Sequence, residues 1–357
     1  MSEEENIDLG KTDPCTVDSN FRYTLFTVSY IFIFIFGFTA NCYVLWVFTR
    51  VYPAKRLSEI KIFMINLTVA DLLFLVTLPL WIVYYHYQGD WFMPPFLCNV
   101  AGCLFFLNTY CSVAFLGVIS YNRFQAVTRP LESAQSTARM RGIIISVTVW
   151  ILVFSSSLYF LIFPGTNQVN INSVNFTRCF EGYDIGNRGP VAITHFILVG
   201  AFFVIFLIIL VCNLVIIRTL LTKPIQAKQS SEMKHRALWM VLAVMGVFVI
   251  CFVPHHIVDG PWTLTVLRMW REDDCTFRMS LNDAHQVTLC LMSTNCMLDP
   301  IIYCFLTKKF RRHLSERIQS LRNSRANVQF KIQSPIKNLQ QLNQAPEIDG
   351  SEDNEEA

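Results

Sequence analysis

The sequence predicts an all-α membrane protein: a seven-transmembrane-helix bundle followed by a short amphipathic eighth helix. Composition is the first observation behind this prediction, because 53% of the 357 residues are hydrophobic and only 15% are charged. In a typical soluble domain about 25% of residues are charged. The apolar residues gather into seven long runs, and the basic residues lie mainly between those runs. A soluble protein of this size could not bury so much apolar surface, so lipid is the expected solvent for much of the chain.

Each apolar run is long enough to cross a bilayer core, which is about 30 Å thick and needs roughly 20 helical residues. The strands of a membrane barrel need only about 10 residues and alternate in polarity, which does not fit these runs. The first run contains no charged side chain, and the second contains only Asp71. In chain order the runs are Leu25–Phe48, Ile62–Tyr85, Cys98–Tyr121, Ile143–Phe163, Val191–Ile217, Ala237–Val258 and Val287–Phe305.

The basic residues orient the bundle, because cytoplasmic loops carry an excess of Lys and Arg. With the N-terminus outside, 22 of the 29 Lys and Arg residues fall on the cytoplasmic side. We therefore expect an extracellular N-terminus (1–22), a transmembrane domain (23–307), an amphipathic helix 8 (308–320) and a disordered cytoplasmic tail (321–357). The basic face of helix 8 should lie against anionic membrane lipid. The sequence thus indicates a multi-pass plasma-membrane protein without a nucleic-acid partner.

Four cysteines are expected outside the membrane, in an oxidising compartment that favours disulfides. They are Cys15, Cys98, Cys179 and Cys275, and four cysteines allow three pairings. We expect Cys98–Cys179, which would pin the long loop after the fourth run over the mouth of the bundle. With it we expect Cys15–Cys275, which would tie the N-terminus to the last outer loop. In the same long loop, Asn175 begins an Asn-x-Thr acceptor for N-glycosylation.

Polar side chains at membrane depth are costly and therefore usually functional. Five oxygen-bearing side chains are expected at similar depth in the bundle: Asn41, Asp71, Ser112, Asn295 and Asp299. Two carboxylates placed together repel each other unless one is protonated or a cation is bound. The sequence therefore suggests an allosteric sodium site, with a hydrogen-bonded network that packs the helices as the alternative. No other cofactor is expected.

Six motifs occur in order along the runs and carry a family resemblance. They are Asn41, Asn66-Leu67-x-x-Ala70-Asp71, Asn122-Arg123-Phe124, Trp150, Cys251-Phe252-x-Pro254 and Asp299-Pro300-x-x-Tyr303. Together with Cys98 and Cys179, they make residues of about 20–320 resemble the rhodopsin-like (class A) G-protein-coupled receptors. The resemblance implies a non-enzymatic receptor that couples to Gq- and Gi-class G proteins and binds arrestin. Thr77-x-Pro79 resembles the branch that holds purine-nucleotide, chemokine and lipid-mediator receptors.

The resemblance also implies a conformational switch that runs from an aromatic residue beneath the ligand to Arg123 at the cytoplasmic face. Its residues are Asn122, Arg123, Phe252, Pro254, Asp299 and Tyr303. Phe252 stands where many relatives have Trp, and Asn122 stands where the family usually has Asp. Because Asn122 cannot hold Arg123 as a carboxylate would, we expect noticeable basal activity. The substitution Asn122→Asp is expected to lower that activity.

The outer half of the bundle is aromatic and neutral-polar, which favours a phosphocholine ether lipid as ligand. An aromatic cage suits its quaternary ammonium, and histidines and amides can bind its phosphate. An amine would need a carboxylate between Cys98 and Ser112, and retinal would need a lysine in the last run; neither is present. A chemokine-like peptide or a purine nucleotide stays open as the alternative ligand. The expected ligand-binding residues are Trp81, Tyr85, Phe105, Phe106, His195, His255, His256, Gln286 and Thr288.

A transporter or an intramembrane enzyme is disfavoured. Transporters usually carry internal repeats, and the seven unequal runs show no such symmetry. We expect the pair His255-His256 to have no cysteine or carboxylate at metal-ligand spacing on its own helix. Asp259 is expected just above that run, where the resemblance implies a neutral amide instead. We therefore expect no metal centre at the histidines.

Overall fold

The computed structural model describes residues 15, 19–50, 58–129, 138–171, 174–181, 188–222, 238–239 and 241–306, with scattered residues between 312 and 323. The chain forms two compact units, Met1–Leu306 and Thr307–Ala357. Within the second unit the described residues are helical, and Arg312 Nε lies 3.3 Å from Glu316 Oε1. Most of the predicted helix 8 and all of the tail beyond 323 lie outside the described residues, so both stay predictions.

The described part of the first unit is almost entirely helical. Its helices are α1 (Asn20–Arg50), α2 (Glu59–Leu75), α3 (Leu78–His86), α4 (Pro95–Thr128), α5 (Ala138–Ile162), α6 (Arg188–Thr222), α7 (Val253–Val266), α8 (Cys275–Ser293) and α9 (Asn295–Leu306). Six helical segments of the described chain are long and apolar enough to cross a membrane: Asn20–Arg50, Glu59–His86, Pro95–Thr128, Ala138–Ile162, Gly189–Thr222 and Val241–Val266. Helices α8 and α9 follow them and contain the seventh predicted run.

Two of the spans are interrupted beside a proline. In the second span, α2 gives way to α3 just before Pro79, and the hydroxyl of Thr77 donates a 2.7 Å hydrogen bond to the carbonyl of Phe74. In the sixth span, a π-helical turn at Phe248–Phe252 precedes Pro254, and the N–H of Val253 bonds back to Phe248. Proline lacks an N–H, so the neighbouring backbone must rearrange its hydrogen bonds.

The sixth and seventh spans extend further outward than the sequence suggested. Helix α7 continues past Val258 to Val266, so Asp259 lies within the helix and not above it. Helix α8 begins at Cys275, well before Val287, with the Asp274 carboxylate capping its first turn. The sequence-based boundaries were wrong because they followed hydropathy alone. Polar residues of these outer turns, such as Asn282, are buried against protein, so they do not require water.

Helix α4 is the central helix of the bundle and packs against α2, α5 and α6. The outer faces of α5 and α6 are strongly apolar. Ile151 on α5 and Ile197 on α6 have relative exposures of 62% and 64%. Exposed apolar surface on this scale is costly in water and normal in lipid, as expected for a membrane bundle.

The loop after α5 forms a β-hairpin that the sequence did not predict. Strands β1 (Thr166–Ile171) and β2 (Val174–Cys179) pair antiparallel, with Thr166 opposite Cys179. The backbone N–H of Trp91 donates a 2.7 Å hydrogen bond to Thr177, and the Thr177 N–H donates to Asp90. Both predicted disulfides are confirmed: Cys98–Cys179 joins the hairpin to α4, and Cys15–Cys275 joins the N-terminal segment to α8.

Candidate ligand-binding site and switch

A buried carboxylate surrounded by histidines lies in the outer half of the bundle. Asp259 on α7 is 7% exposed; its Oδ2 is 3.1 Å from His195 Nδ1 on α6, and its Oδ1 is 3.4 Å from His285 Nε2 on α8. The ring of His255, one turn before Asp259, lies 5.0 Å from the ring of His285. The structure therefore brings His195 and His255 together, as expected, and adds His285 and Asp259 to the group.

The ring of His256 lies 5.5 Å from that of His255 and packs against aromatic side chains of neighbouring helices. Its ring stacks on Phe202 at 3.7 Å, and its Nδ1 donates a 2.9 Å hydrogen bond to the carbonyl of Phe252. Tyr110 lies edge-on to His256 and packs 4.4 Å from the ring of Phe106. Phe106 and His256, both predicted, are thus linked through aromatic rings.

The remaining predicted ligand residues are more dispersed. Trp81 and Tyr85 pack with α1, where the ring of Tyr85 stacks on Phe26 at 4.4 Å. Phe105 packs edge-on against Phe74, 5.6 Å away. In this conformation these three contribute to a packed hydrophobic cluster. Gln286 and Thr288 on α8 are each 8% exposed, and the Thr288 hydroxyl donates to the backbone carbonyl of His285.

The five polar residues predicted at membrane depth are all buried, at 0–1% exposure. Asp71 Oδ1 accepts a 2.9 Å hydrogen bond from Asn108 on α4, and Asn41 donates a 2.7 Å hydrogen bond to the carbonyl of Cys296. Several of their oxygens have no hydrogen-bond partner among the described residues: Asp71 Oδ2, Asn41 Oδ1, the hydroxyl of Ser112 and both carboxylate oxygens of Asp299. Buried oxygens without a hydrogen-bond partner are suitable ligands for a sodium ion.

At the opposite end of the bundle, the switch residue Asn122 contacts a buried carboxylate that the sequence motifs did not include. Asn122 donates a 2.7 Å hydrogen bond to Glu59 Oε2, and Arg141 on α5 donates to both oxygens of Glu59. Arg123 forms no ion pair with the described residues, and its Nε is buried without a partner there. Phe252 is fully buried and Pro254 partly so. The side chain of Tyr303 is not among those that the structure describes.

The sequence-based predictions missed three site residues, Glu59, His285 and Asn108. Hydropathy placed the first two outside the predicted spans and gave no weight to the third. Glu59 precedes the predicted second run, which begins at Ile62, and His285 precedes the last run, which begins at Val287. Asn108 lay within the third run, where an amide at membrane depth was itself a signal. The polar sequence Asn282-Asp283-Ala284-His285-Gln286 was the corresponding signal for His285.

Comparison with known families identifies the class of protein. The model of the 7 transmembrane receptor (rhodopsin family) matches residues 40–303. This chain therefore belongs to the rhodopsin family of seven-transmembrane receptors, a class of membrane receptors and not of enzymes. The predicted fold class is confirmed, and the succession of motifs that suggested it is explained.

Several relatives are receptors for lipid mediators by name. The platelet-activating factor receptor of Homo sapiens is 61% identical over 315 residues, which cover 88% of this chain and 91% of that protein. The platelet-activating factor receptor of Bos taurus is 58% identical over 332 residues, covering 92% and 96%. Lysophosphatidic acid receptor 4 of Homo sapiens is 35% identical over 300 residues, covering 84% and 78%.

Proposed function

We propose that this chain is a plasma-membrane receptor for platelet-activating factor, a phosphocholine ether lipid. The observation that carries the proposal is the identity of about 60% to platelet-activating factor receptors over most of both chains. The 35% identity to a lysophosphatidic acid receptor favours a phospholipid-derived ligand over the peptide or nucleotide alternative.

The outer site has groups that suit both ends of such a lipid. The ring of Phe106 lies 4.4 Å from that of Tyr110 and 5.1 Å from that of Phe160. These three rings can pack around a quaternary ammonium or an alkyl chain. His256 donates through Nδ1 to a carbonyl, so its Nε2 can donate to phosphate only when the ring is protonated. An anionic phosphate would favour that imidazolium, and Phe202 would stack beneath it.

Signalling is proposed to follow from a change at the cytoplasmic end of the bundle. The N-terminus is extracellular, and Gq- and Gi-class G proteins, followed by arrestin, bind on the cytoplasmic side near Arg123. The basic segment after α9 contacts membrane lipid. The agonist shifts the equilibrium only to the extent that it binds the active conformation more tightly than the resting one. The π-helical turn before Pro254 is the element that we expect to rearrange.

A sodium ion is proposed to stabilise the resting conformation from within the bundle. Asp71, Asp299 and Ser112 offer carboxylate and hydroxyl oxygens that no described residue satisfies. Two buried carboxylates are more stable when a cation lies between them. Asn295 and Asn41 would complete the oxygen ligands. Apart from sodium, the receptor needs no cofactor for this function.

The first experiment is intracellular calcium release in cells that express this chain at the surface. Platelet-activating factor and its deacetylated lyso form are compared, with lysophosphatidic acid as a third ligand. A response to the first alone supports the proposal. Silence to all three, with surface expression confirmed, would refute the ligand assignment without affecting the receptor family.

The pocket is then tested with His255→Ala and His256→Ala. Both are expected to raise the agonist concentration for half-maximal calcium release by at least tenfold, because each removes a ring from the proposed phosphate site. His86→Ala is the matched control, since His86 is exposed at the end of α3. Unchanged potency in both pocket variants would exclude the phosphate role of these histidines.

A further inference from the structure

The group around Asp259 contains a set of metal-ligating side chains that the proposed lipid site does not explain. His255 and Asp259 lie on α7, and His285 lies on α8. One potential ligand atom from each residue lies within 4.8 Å of the other two. The expectation that His255 has no carboxylate at metal-ligand spacing on its helix was wrong. Because α7 continues to Val266, Asp259 lies one helical turn after His255, on the same face.

All three side chains are buried, with relative exposures of 9% for His255, 7% for Asp259 and 7% for His285. The Nδ1 atoms of His255 and His285 have no hydrogen-bond partner among the described residues. A buried carboxylate and buried, unpartnered imidazole nitrogens are each costly unless a counter-charge or a ligand satisfies them. A single cation bound by the Asp259 carboxylate and by one nitrogen of each ring would compensate the buried negative charge.

Neighbouring residues hold these ligands in place. The ring of His285 stacks on Trp262 at 3.7 Å with an interplanar angle of 5°, and Trp262 Nε1 donates a 3.0 Å hydrogen bond to Asn282. His195 Nδ1 lies 3.1 Å from Asp259 Oδ2, which leaves Oδ1 directed at His285. Outer contacts that orient metal ligands in this way are typical of protein metal sites.

The chemistry of the donors indicates which ion fits. Zn²⁺ binds imidazole nitrogen and carboxylate oxygen at about 2.0–2.2 Å, so two ligands at a tetrahedral angle lie about 3.4 Å apart. The distance from His285 Nε2 to Asp259 Oδ1 is 3.4 Å. Sodium, magnesium and calcium prefer all-oxygen sites, whereas two imidazoles with one carboxylate suit zinc.

We propose that His255, Asp259 and His285 form a zinc-binding site in the outer half of the bundle. The ion neutralises Asp259 and links α7 to α8, and so fixes the sixth span against the seventh. The His195 ring stays outside the coordination sphere and orients the carboxylate. The zinc site shares His255 with the proposed phosphate site, but it is tested by zinc retention in the purified receptor, which does not depend on the lipid ligand.

The test uses the full-length receptor, purified in detergent, stripped with a chelator and then returned to a buffer with zinc chloride. We expect one zinc ion per chain to be retained after gel filtration and the melting temperature to rise with zinc concentration to a plateau. Cobalt chloride is a second probe, because the visible absorption of Co²⁺ reports tetrahedral nitrogen and oxygen ligands. Absence of retained zinc, or an octahedral cobalt spectrum alone, would overturn the proposal.

Asp259→Asn and His285→Asn keep side-chain volume close to that of the original residues and should each lower zinc affinity at least tenfold. His86→Asn removes an exposed histidine and should leave zinc affinity unchanged. His256→Asn removes the neighbour that stacks on Phe202, and it should also leave zinc affinity unchanged. If zinc binding survives Asp259→Asn and His285→Asn but is lost in His256→Asn, the site is misassigned. The melting temperature of each zinc-free variant shows whether it is folded.

Discussion

Glu59 is a buried carboxylate whose two oxygens are both bound by neighbouring side chains. It is 7% exposed; Arg141 donates to both oxygens at 2.7–2.8 Å, and Asn122 adds a third hydrogen bond at 2.7 Å. Bidentate Arg–carboxylate contacts with low exposure are among the stronger polar interactions in proteins. Glu59 therefore fastens the start of α2 to α5 and to the end of α4, next to Arg123.

This arrangement changes what Asn122→Asp is expected to do. An aspartate at this position would place a second carboxylate against Glu59, where the amide now donates a hydrogen bond. We expect the free energy of unfolding of the purified receptor to fall by about 1–3 kcal/mol. A lower melting temperature would show this loss. Adding Glu59→Gln should recover part of the loss, because the amide and the carboxylate then exchange roles while Arg141 keeps one oxygen of residue 59 as acceptor. A double variant no more stable than Asn122→Asp alone would contradict this account.

The same pair of variants gives the cleaner test of basal signalling. In the Glu59→Gln background, an aspartate at position 122 is free of its like-charged neighbour and can attract Arg123. There we expect Asn122→Asp to lower basal inositol phosphate production, as the sequence suggested. Unchanged or higher basal output in that background would show that Asn122 does not determine the restraint on Arg123.

The residue that follows the β-hairpin, Phe180, packs closely against two glycines, Gly102 and Gly165. The ring of Phe180, directly after β2, lies against Gly102 on α4, and a Cβ at Gly102 would overlap that ring. The neighbouring disulfide Cys98–Cys179 allows the segment little freedom to move away. Gly102 thus permits the close approach of the hairpin to the third span.

Gly102→Ala is expected to displace Phe180 and to lower the affinity for radiolabelled ligand at least fivefold, with less receptor at the cell surface. Gly200→Ala is the control, because Gly200 on α6 has no atom within 4 Å of where its Cβ would be. It should bind ligand as the unmodified chain does. Equal affinity in the two variants would mean that the hairpin adapts at no cost.

At the scale of the whole molecule, two disulfides join distant parts of the chain. Cys15–Cys275 spans 260 residues of sequence and Cys98–Cys179 spans 81. On chain entropy alone, Cys15–Cys275 would be the more stabilising disulfide, because it closes the longer loop. Lipid already restricts the unfolded bundle, however, and the shorter link also fixes the hairpin. Tertiary contacts rather than loop length should therefore decide their relative importance.

We expect replacement of Cys98 and Cys179 by Ser to lower the melting temperature and ligand binding more than replacement of Cys15 and Cys275. Thermal unfolding and ligand binding of the two double variants measure this directly. Mass spectrometry of non-reduced peptides from the unmodified chain checks both pairings first. A larger loss from the Cys15–Cys275 variant would favour the loop-length argument.

The proposed orientation predicts a sugar chain on Asn175, which is exposed on β2 and lies on the same outer side as the disulfides. Endoglycosidase treatment should lower the apparent mass of the receptor from cells, and Asn175→Gln should abolish that shift. Asn66 fits the acceptor pattern but accepts a 2.8 Å hydrogen bond from Trp150 within the bundle, so it should carry no sugar. A persisting shift in Asn175→Gln would contradict the proposed topology.

The sequence by itself determined the fold class, the number of spans, both disulfides and five of the buried polar residues at membrane depth. It could do so because lipid imposes a simple constraint: apolar runs of span length must be helices, and each polar residue within them stands out. The order of motifs then indicated the family. These features are local in sequence, or follow from the periodic pattern of apolar residues.

Only the tertiary structure decided which side chains meet. It separated Trp81, Tyr85 and Phe105 from the histidines, joined Asn122 to Glu59, and brought His285 to Asp259. Such contacts depend on helix rotation and on how far each helix extends, and hydropathy contains little information on either. The outer turns of α7 and α8 bury their polar residues against each other, as the hydrogen bond from Trp262 to Asn282 shows, and no single segment of sequence reveals this.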